Sequence, residues 1–139
     1  MEIRTDLAPE VWDRFVAAHP QAHILQTSPW GQLKAAFGWQ VERVALMREE
    51  RPVAGAQILY RRLPGGLARL AYVPRGPLVN WEDEGETAAL MDALTATARA
   101  RRAIVLTVEP DLPDFPSLQE RLTALGSVSY THLTLPTKA

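Results

Sequence analysis

The chain has 139 residues, 47 % hydrophobic and 22 % charged, the balance of one ordinary folded domain and not of a disordered segment. Its formal net charge of −1 supplies no global field for nucleic acid, and the absence of cysteine excludes disulfides, thiolate catalysis and cysteine metal centres. His19, His23 and His132 do not stand at metal-ligand spacing, and no apolar run approaches the ~20 residues of a membrane span.

The first residues, Met-Glu-Ile-Arg-Thr-Asp, carry acids and no apolar leader, so the chain is expected to be cytoplasmic. Pro9 suits a first helical turn, and Val11, Trp12, Phe15, Val16 and His19 follow at helical spacing until Pro20. His19 is then a helix-end residue beside the C-terminal dipole, and His23 a structural residue of the connector. Ser28 as N-cap, Pro29 at N1 and Gly38 just past the end predict a second helix, with Trp30, Leu33 and Phe37 as its apolar stripe. Lys34, four residues after Trp30, runs beside the indole. On those grounds alone it is a snorkelling surface lysine.

Residues 40–48, 53–62 and 67–73 read as three strands joined by Glu49-Glu50-Arg51-Pro52 and Leu63-Pro64-Gly65-Gly66, an antiparallel meander. Gly55 inside the second strand predicts a bulge or a close backbone approach. The third strand ends in Tyr72-Val73-Pro74-Arg75-Gly76-Pro77, where two prolines stiffen the backbone that presents Arg75. Taken alone, this motif is a strand terminator with a solvated arginine.

The acidic connector 80–86 reads as a solvated face leading into a helix over about 84–101, which is expected to bury Ala88, Met91, Leu94, Thr95 and Ala98. Arg99, Arg101 and Arg102 complement the dipole at its end, and so read as a helix terminus and not as an RNA-binding patch. The apolar run 103–109 predicts a strand covered on both faces, with Val105, Leu106 and Val108 at the sheet centre. Glu109 ends it in the position of a general base, although the Pro110 that follows favours a structural role. Ser117-Leu118-Gln119-Glu120 is a capping box for a short last helix ending at Gly126.

Leu25-Gln26-x-x-x-Trp30-Gly31-x-x-Lys34, then Phe37-Gly38-Trp39, then Tyr72-x-Pro74-Arg75-Gly76-Pro77, a helix and the strand 103–109 resemble, in that order, the Fem family (FemABX). Its members are aminoacyltransferases that build peptidoglycan interpeptide bridges from aminoacyl-tRNA. The resemblance runs from about Trp12 to Gly126 and implies an α/β (α+β), GNAT-like N-acyltransferase domain. That domain is a mixed, mainly antiparallel sheet with helices on both faces, incomplete at the C-terminus. Family members look much longer, so the chain is expected to be the first half of such an enzyme, residues 1–126. Residues 127–139 lose the family pattern and look like a translated adaptor, a non-native tail, with an edge strand over 128–135 as the alternative.

The resemblance further implies a peptidoglycan precursor, nucleotide- or lipid-linked, as acceptor, and aminoacyl-tRNA as donor. It implies an acceptor-side groove formed by Trp30, Lys34, Tyr72 and Arg75, with Lys34 by the phosphates. No cofactor or metal is expected, and the catalytic residues are expected in the missing half. Two alternatives stand beside this reading: a non-catalytic muropeptide- or phosphate-binding module, and a stand-alone acyl-CoA-dependent N-acyltransferase. The latter needs a Gln/Arg-x-x-Gly-x-Gly/Ala loop whose N–H groups hold a pyrophosphate. At the corresponding junction Pro-Arg-Gly-Pro removes donors, and Arg62-Leu63-Pro64-Gly65-Gly66-Leu67 fails the last position.

Overall fold

The computed structural model describes residues 2–110, 128–129 and 133–136. Three helices and seven strands build one sheet with helices on both faces, the mixed and mainly antiparallel architecture expected. The strands are β1 (Glu2–Arg4), β2 (Gln40–Arg48), β3 (Arg51–Arg62), β4 (Arg69–Pro74), β5 (Ala103–Glu109), β6 (Val128–Ser129) and β7 (Leu133–Pro136), in the spatial order β1-β2-β3-β4-β5-β7-β6. Only β4 and β5 run parallel.

The meander is present with nearly the boundaries that the period-two pattern predicts. Its first turn is shorter than expected: Arg51 pairs with Arg48, leaving Glu49 and Glu50 at φ 53° and 63° as a two-residue hairpin turn. The bulge lies at Val53, where Leu46 pairs with Ala54 but Met47 pairs with Pro52. Gly55 is instead a point of close approach. A Cβ there would stand 2.6 Å from the Val44 carbonyl oxygen and 2.8 Å from the Trp12 ring.

Helix α1 (Pro9–Ala18) starts at Pro9 and buries Trp12, Phe15 and Val16 against Ala45, Met47 and Leu78 on one face of the sheet. His19 ends it as expected. Its Nδ1 accepts the Gln21 N–H, and burial lowers its pKa. Helix α3 (Glu84–Ala100) covers the other face, packing Leu90 and Leu94 over Ala56, Ile58, Leu106 and Val108. Asp83 caps it by accepting the Glu86 N–H. The buried face of α3 is shifted from the expected one: Thr87, Leu90 and Ala93 are inside, while Ala88 and Thr95 are half-buried. Glu86, expected on a solvated face, is buried and accepts the Asn80 N–H, and burial raises its pKa.

Two further expectations are corrected. Leu106 and Val108 are fully buried, but Val105 is only half-buried and Ile104 is 43 % exposed. Register slips between Arg69 and Leu70, which pair with Ala103 and Val105, so Ile104 is an extra residue that turns outward. Helix α2 (Ser28–Ala36) does not bury its apolar stripe either, for Leu33 is 48 % and Phe37 76 % exposed. It rests on the sheet through small residues, Ser28 and Gly31, which let its backbone come close.

The expected last helix and His132 fall outside the described residues. Residues 128–139 were expected to pack poorly with few core contacts, with an edge strand over 128–135 as the alternative; Leu133–Pro136 pairs antiparallel with β5, and Val128–Ser129 with β7. The reason is generic: β5 offers a row of N–H and C=O groups on its outer side, and an alternating Leu-Thr-Leu segment satisfies them whatever its origin.

Two stability tests follow. Gly55→Ala should lower unfolding free energy by about 1–3 kcal/mol in urea titration, because the carbonyl it meets belongs to backbone. The lowered His19 pKa makes its contribution complete above the unfolded value of 6.5 and progressively lost as pH falls from there toward the folded value. Thermal unfolding between pH 7.5 and 5 should therefore decline more steeply for the wild type than for His19→Gln, in about the pH range of the histidine transition.

Candidate functional site

The ladder between β3 and β4 is short. It joins Leu59–Arg62 to Arg69–Tyr72, after which β4 leaves β3. The chain returns to β3 only at Leu78, which exchanges two 2.8 Å hydrogen bonds with Gly55. Between these points Gln57 and Pro74 would hold unpaired backbone groups. The side chain of Gln26 fills the gap: its Oε1 accepts the Gln57 N–H at 2.7 Å, and its Nε2 donates to Pro74 O at 2.7 Å and Gln57 O at 3.3 Å. Gln26 is completely buried in a single 3-10 turn (Ile24–Gln26), and its own carbonyl accepts the Trp12 indole N–H at 2.7 Å. A carboxamide thus stands in for a missing peptide unit of the sheet.

Gln57, on β3, completes the joint. Its Nε2 donates to Thr27 O at 2.8 Å and Leu25 O at 3.3 Å, and its Oε1 accepts from Arg43 Nε at 2.9 Å. Two glycines make room for these amides. A Cβ on Gly31 would lie 2.6 Å from Gln57 Oε1, and one on Gly76 would lie 2.9 Å from Gln26 Cδ. Thr27, not Ser28, is the N-cap of α2. Ser28 opens the helix, where Asp13 of α1 accepts both its N–H, at 2.7 Å, and its hydroxyl.

On this frame the four residues expected to form a groove lie in two groups. In the first, Lys34 Nζ is 5.0 Å from the Trp30 ring centroid and 5.9 Å from that of Trp39, and the Arg61 guanidinium lies 5.4 Å from the Trp39 centroid. Both rings hold the cations by their π faces. Trp30 Nε1 is buried without an acceptor among the described residues, a donor left unsatisfied. In the second group Glu109 is the charge that faces both Tyr72 and Arg75, with Arg75 Nε 3.9 Å from Glu109 Oε1. Burial, then Glu109, raises the Tyr72 pKa, so the phenol stays protonated at neutral pH. Arg75 stands at φ 53° and is exposed, directly after the β4 end and before a cis Gly76-Pro77 bond.

Pleat alternation relates the two groups. Gln57, Leu59 and Arg61 share the face on which α2 lies, and Tyr72 pairs with Leu59. Trp30, Lys34 and Tyr72 therefore stand on one side of the sheet. The structure does not bring Lys34 against Tyr72 or Arg75. Chemically the arrangement offers three cations, Lys34, Arg61 and Arg75, and a neutral phenol toward anionic or hydrogen-bonding ligands, with the Glu109 carboxylate beside Arg75. Among the described residues, no three His, Asp or Glu side chains converge for a metal ion.

Sequence reasoning placed Gln26 in the family motif without giving it a role, and did not single out Gln57 or Asp13. The signal for Gln57 was a lone amide in the apolar run from Val53 to Tyr60, since a buried polar group requires partners.

A FemAB family model matches residues 7–119. The chain belongs to the FemAB family. It is 26 % identical over 129 residues to a lipid II:glycine glycyltransferase of Staphylococcus saprophyticus, covering 93 % of this chain and 31 % of that protein. To the protein of the same description from Staphylococcus aureus it is 31 % identical over 100 residues, 72 % of this chain and 24 % of the relative. The crystal structure of FemX superposes with a TM-score of 0.83 at 28 % identity, over 92 % of this chain and 32 % of FemX. A ribosomal-protein-alanine N-acetyltransferase from Brucella melitensis shares the fold, with a TM-score of 0.52 at 14 % identity, over 97 % of this chain and 96 % of its own. The FemAB chain described here thus spans about a third of the length of its FemX-like relatives.

The amide joint has a direct test. Gln26→Leu keeps the volume but strips partners from the Gln57 N–H and the Pro74 carbonyl, an expected loss of about 2–5 kcal/mol in denaturant unfolding. Amide hydrogen exchange at Gln57 should accelerate more than exchange in the helical core of α3. Equal protection in both proteins would mean the joint carries no stability.

Proposed function

We propose that residues 1–126 are the first GNAT-like domain of a tRNA-dependent aminoacyltransferase that adds amino acids to the stem peptide of a peptidoglycan precursor. In this reading the domain supplies part of the acceptor groove, and aminoacyl-tRNA is the donor. The observation that carries it is the Gln26 joint, which ties the two motifs of the family resemblance into one unit and holds Trp30, Lys34 and Tyr72 on one face with Arg75 at the strand end. The names of the relatives, lipid II:glycine glycyltransferases, support a lipid-linked acceptor.

Each residue has a role that its surroundings support. The Lys34 ammonium, held over the indole faces, and the Arg75 guanidinium, oriented by Glu109, are charge-assisted donors to the diphosphate of the acceptor. The protonated Tyr72 hydroxyl donates to a neutral oxygen of the ligand, and Trp30 offers a ring face. Catalysis also needs an aminoacyl donor site, which we assign to sequence beyond this domain.

The acyl-CoA reading draws support from the full-length overlap with the Brucella N-acetyltransferase fold. Against it, Pro74 and Pro77 lack the N–H groups that a pyrophosphate loop uses, and the Pro74 carbonyl is engaged by Gln26.

Calorimetric titration of a nucleotide-linked muropeptide separates these readings. Lys34→Ala and Arg75→Ala should each weaken binding by about tenfold or more, the loss expected for a charged hydrogen bond. Affinity unchanged in both variants would remove the proposed groove. Turnover of acetyl-CoA with an amine acceptor by the chain alone would establish the acyl-CoA enzyme instead.

A further inference from the structure

The net charge of −1 conceals a strong polarity along the sheet axis. Arg61 and Arg62 close β3, Arg69 opens β4 and pairs with Arg62, and Ala103 at the start of β5 pairs with Arg69. Arg99, Arg101 and Arg102 end α3 beside them, joined by the Arg69 N–H to the Arg102 carbonyl at 3.0 Å. Six of the fifteen basic residues therefore meet at one end. The acids lie toward the other end, interspersed there with Arg48, Arg51 and Arg75: Glu49 and Glu50 in the β2–β3 turn, Glu82, Asp83, Glu84 and Glu86 around the start of α3, and Glu109 at the end of β5. A helix of 17 residues, about 25 Å long, separates the two on the α3 side.

At the basic end the Glu42 carboxylate is already occupied. It takes Arg101 in a two-pronged pair at 2.7 and 3.2 Å and the Tyr60 hydroxyl at 2.9 Å. Arg69 keeps a buried Nε–H with no acceptor among the described residues, while its Nη1 donates to Arg101 O at 2.6 Å. Two adjoining clefts open here, of about 560 and 480 Å³, sharing Gln40 and Tyr60. Arg69, Arg101 and Arg102 line the first and Arg61 and Arg62 the second.

The same end carries the two most exposed large apolar side chains among the described residues. Leu67, beside Gly65 and Gly66 in the β3–β4 turn, and Phe37, in the turn before β2, are each 76 % exposed. Leu67 rims the first cleft and Phe37 the second. We infer that this end of the sheet is a docking surface for an anionic lipid bilayer, with the arginines on headgroup phosphates and Leu67 and Phe37 in the headgroup–acyl boundary. A protruding leucine among arginines gains nothing on a phosphodiester chain, whereas at a lipid interface it removes apolar surface from water. No helix among the described residues is long and apolar enough to cross a membrane. The inference rests on charge and exposure at this end; Arg61 and Trp39 are shared with the Lys34 group, so the test below uses Arg62, Arg102 and Leu67, which are not.

Flotation of the full chain with vesicles tests it. The chain should float with vesicles of equal parts phosphatidylcholine and phosphatidylglycerol, float far less with phosphatidylcholine alone, and be released by salt. Arg62→Ala combined with Arg102→Ala should weaken binding about 30-fold, and Leu67→Ser should weaken it several-fold without changing its salt dependence. Arg14→Ala combined with Arg51→Ala, the same change in charge away from this end, should leave binding nearly as it was. Circular dichroism confirms that each variant is folded. Equal flotation with both vesicle types, equal losses from the two arginine pairs, or no flotation together with tight binding of single-stranded RNA would overturn the inference.

Discussion

One side-chain amide sets the geometry of this domain. A sheet whose fourth strand leaves its neighbour must either leave backbone groups unpaired or recruit a substitute, and Gln26 is that substitute. Because it is buried, its hydrogen bonds form where water does not compete, and losing them would expose each partner's full desolvation cost. Its position is fixed in turn by Trp12, which hydrogen-bonds its carbonyl, and by Gly76, which lies against its Cδ. Helix α1, the turn before α2, strand β3 and the Arg75 loop therefore move together or not at all.

That dependence explains what was legible in the sequence and what was not. The meander, α1 and α3 follow from local period and capping signals, and each appears within a few residues of its expected bounds. Their chemistry is local, so their signals are local. The orientation of α2 is not local. Its stripe of Trp30, Leu33 and Phe37 promised a buried apolar face, but contact of Gly31 with Gln57 and capping by Asp13 turn the small-residue side to the sheet instead. Ile104 was misjudged for a similar reason, because a register slip against a partner strand cannot be read from the strand alone.

The candidate site was legible as residue types and not as a constellation. Lys34 beside Trp30, and Arg75 at a stiff strand end, follow from spacing and from proline chemistry. That Trp39 and Arg61 join Lys34, and that Glu109 joins Tyr72 and Arg75, depends on strand pairing between segments far apart in sequence. The basic end is the sharpest case. In sequence, Arg99, Arg101 and Arg102 read as a helix terminus, and each is that; pairing of β3, β4 and β5 adds Arg61, Arg62 and Arg69 to them. Composition averages this away, since a charge sum has no position.

The two cationic regions differ in how firmly they are built, and that difference bears on what each can recognise. Lys34 and Arg75 hang from elements joined by Gln26 and Gln57, so buried hydrogen bonds tie the backbones that carry them. The arginines at the sheet end sit mostly on exposed strand termini and a helix end, where long side chains reorient freely. A surface of that kind discriminates poorly between ligands of similar charge but adapts to an uneven field of phosphates. On the two readings proposed above, a joined frame at one place serves to select a ligand, and adaptable charge at the other serves to hold an uneven anionic surface.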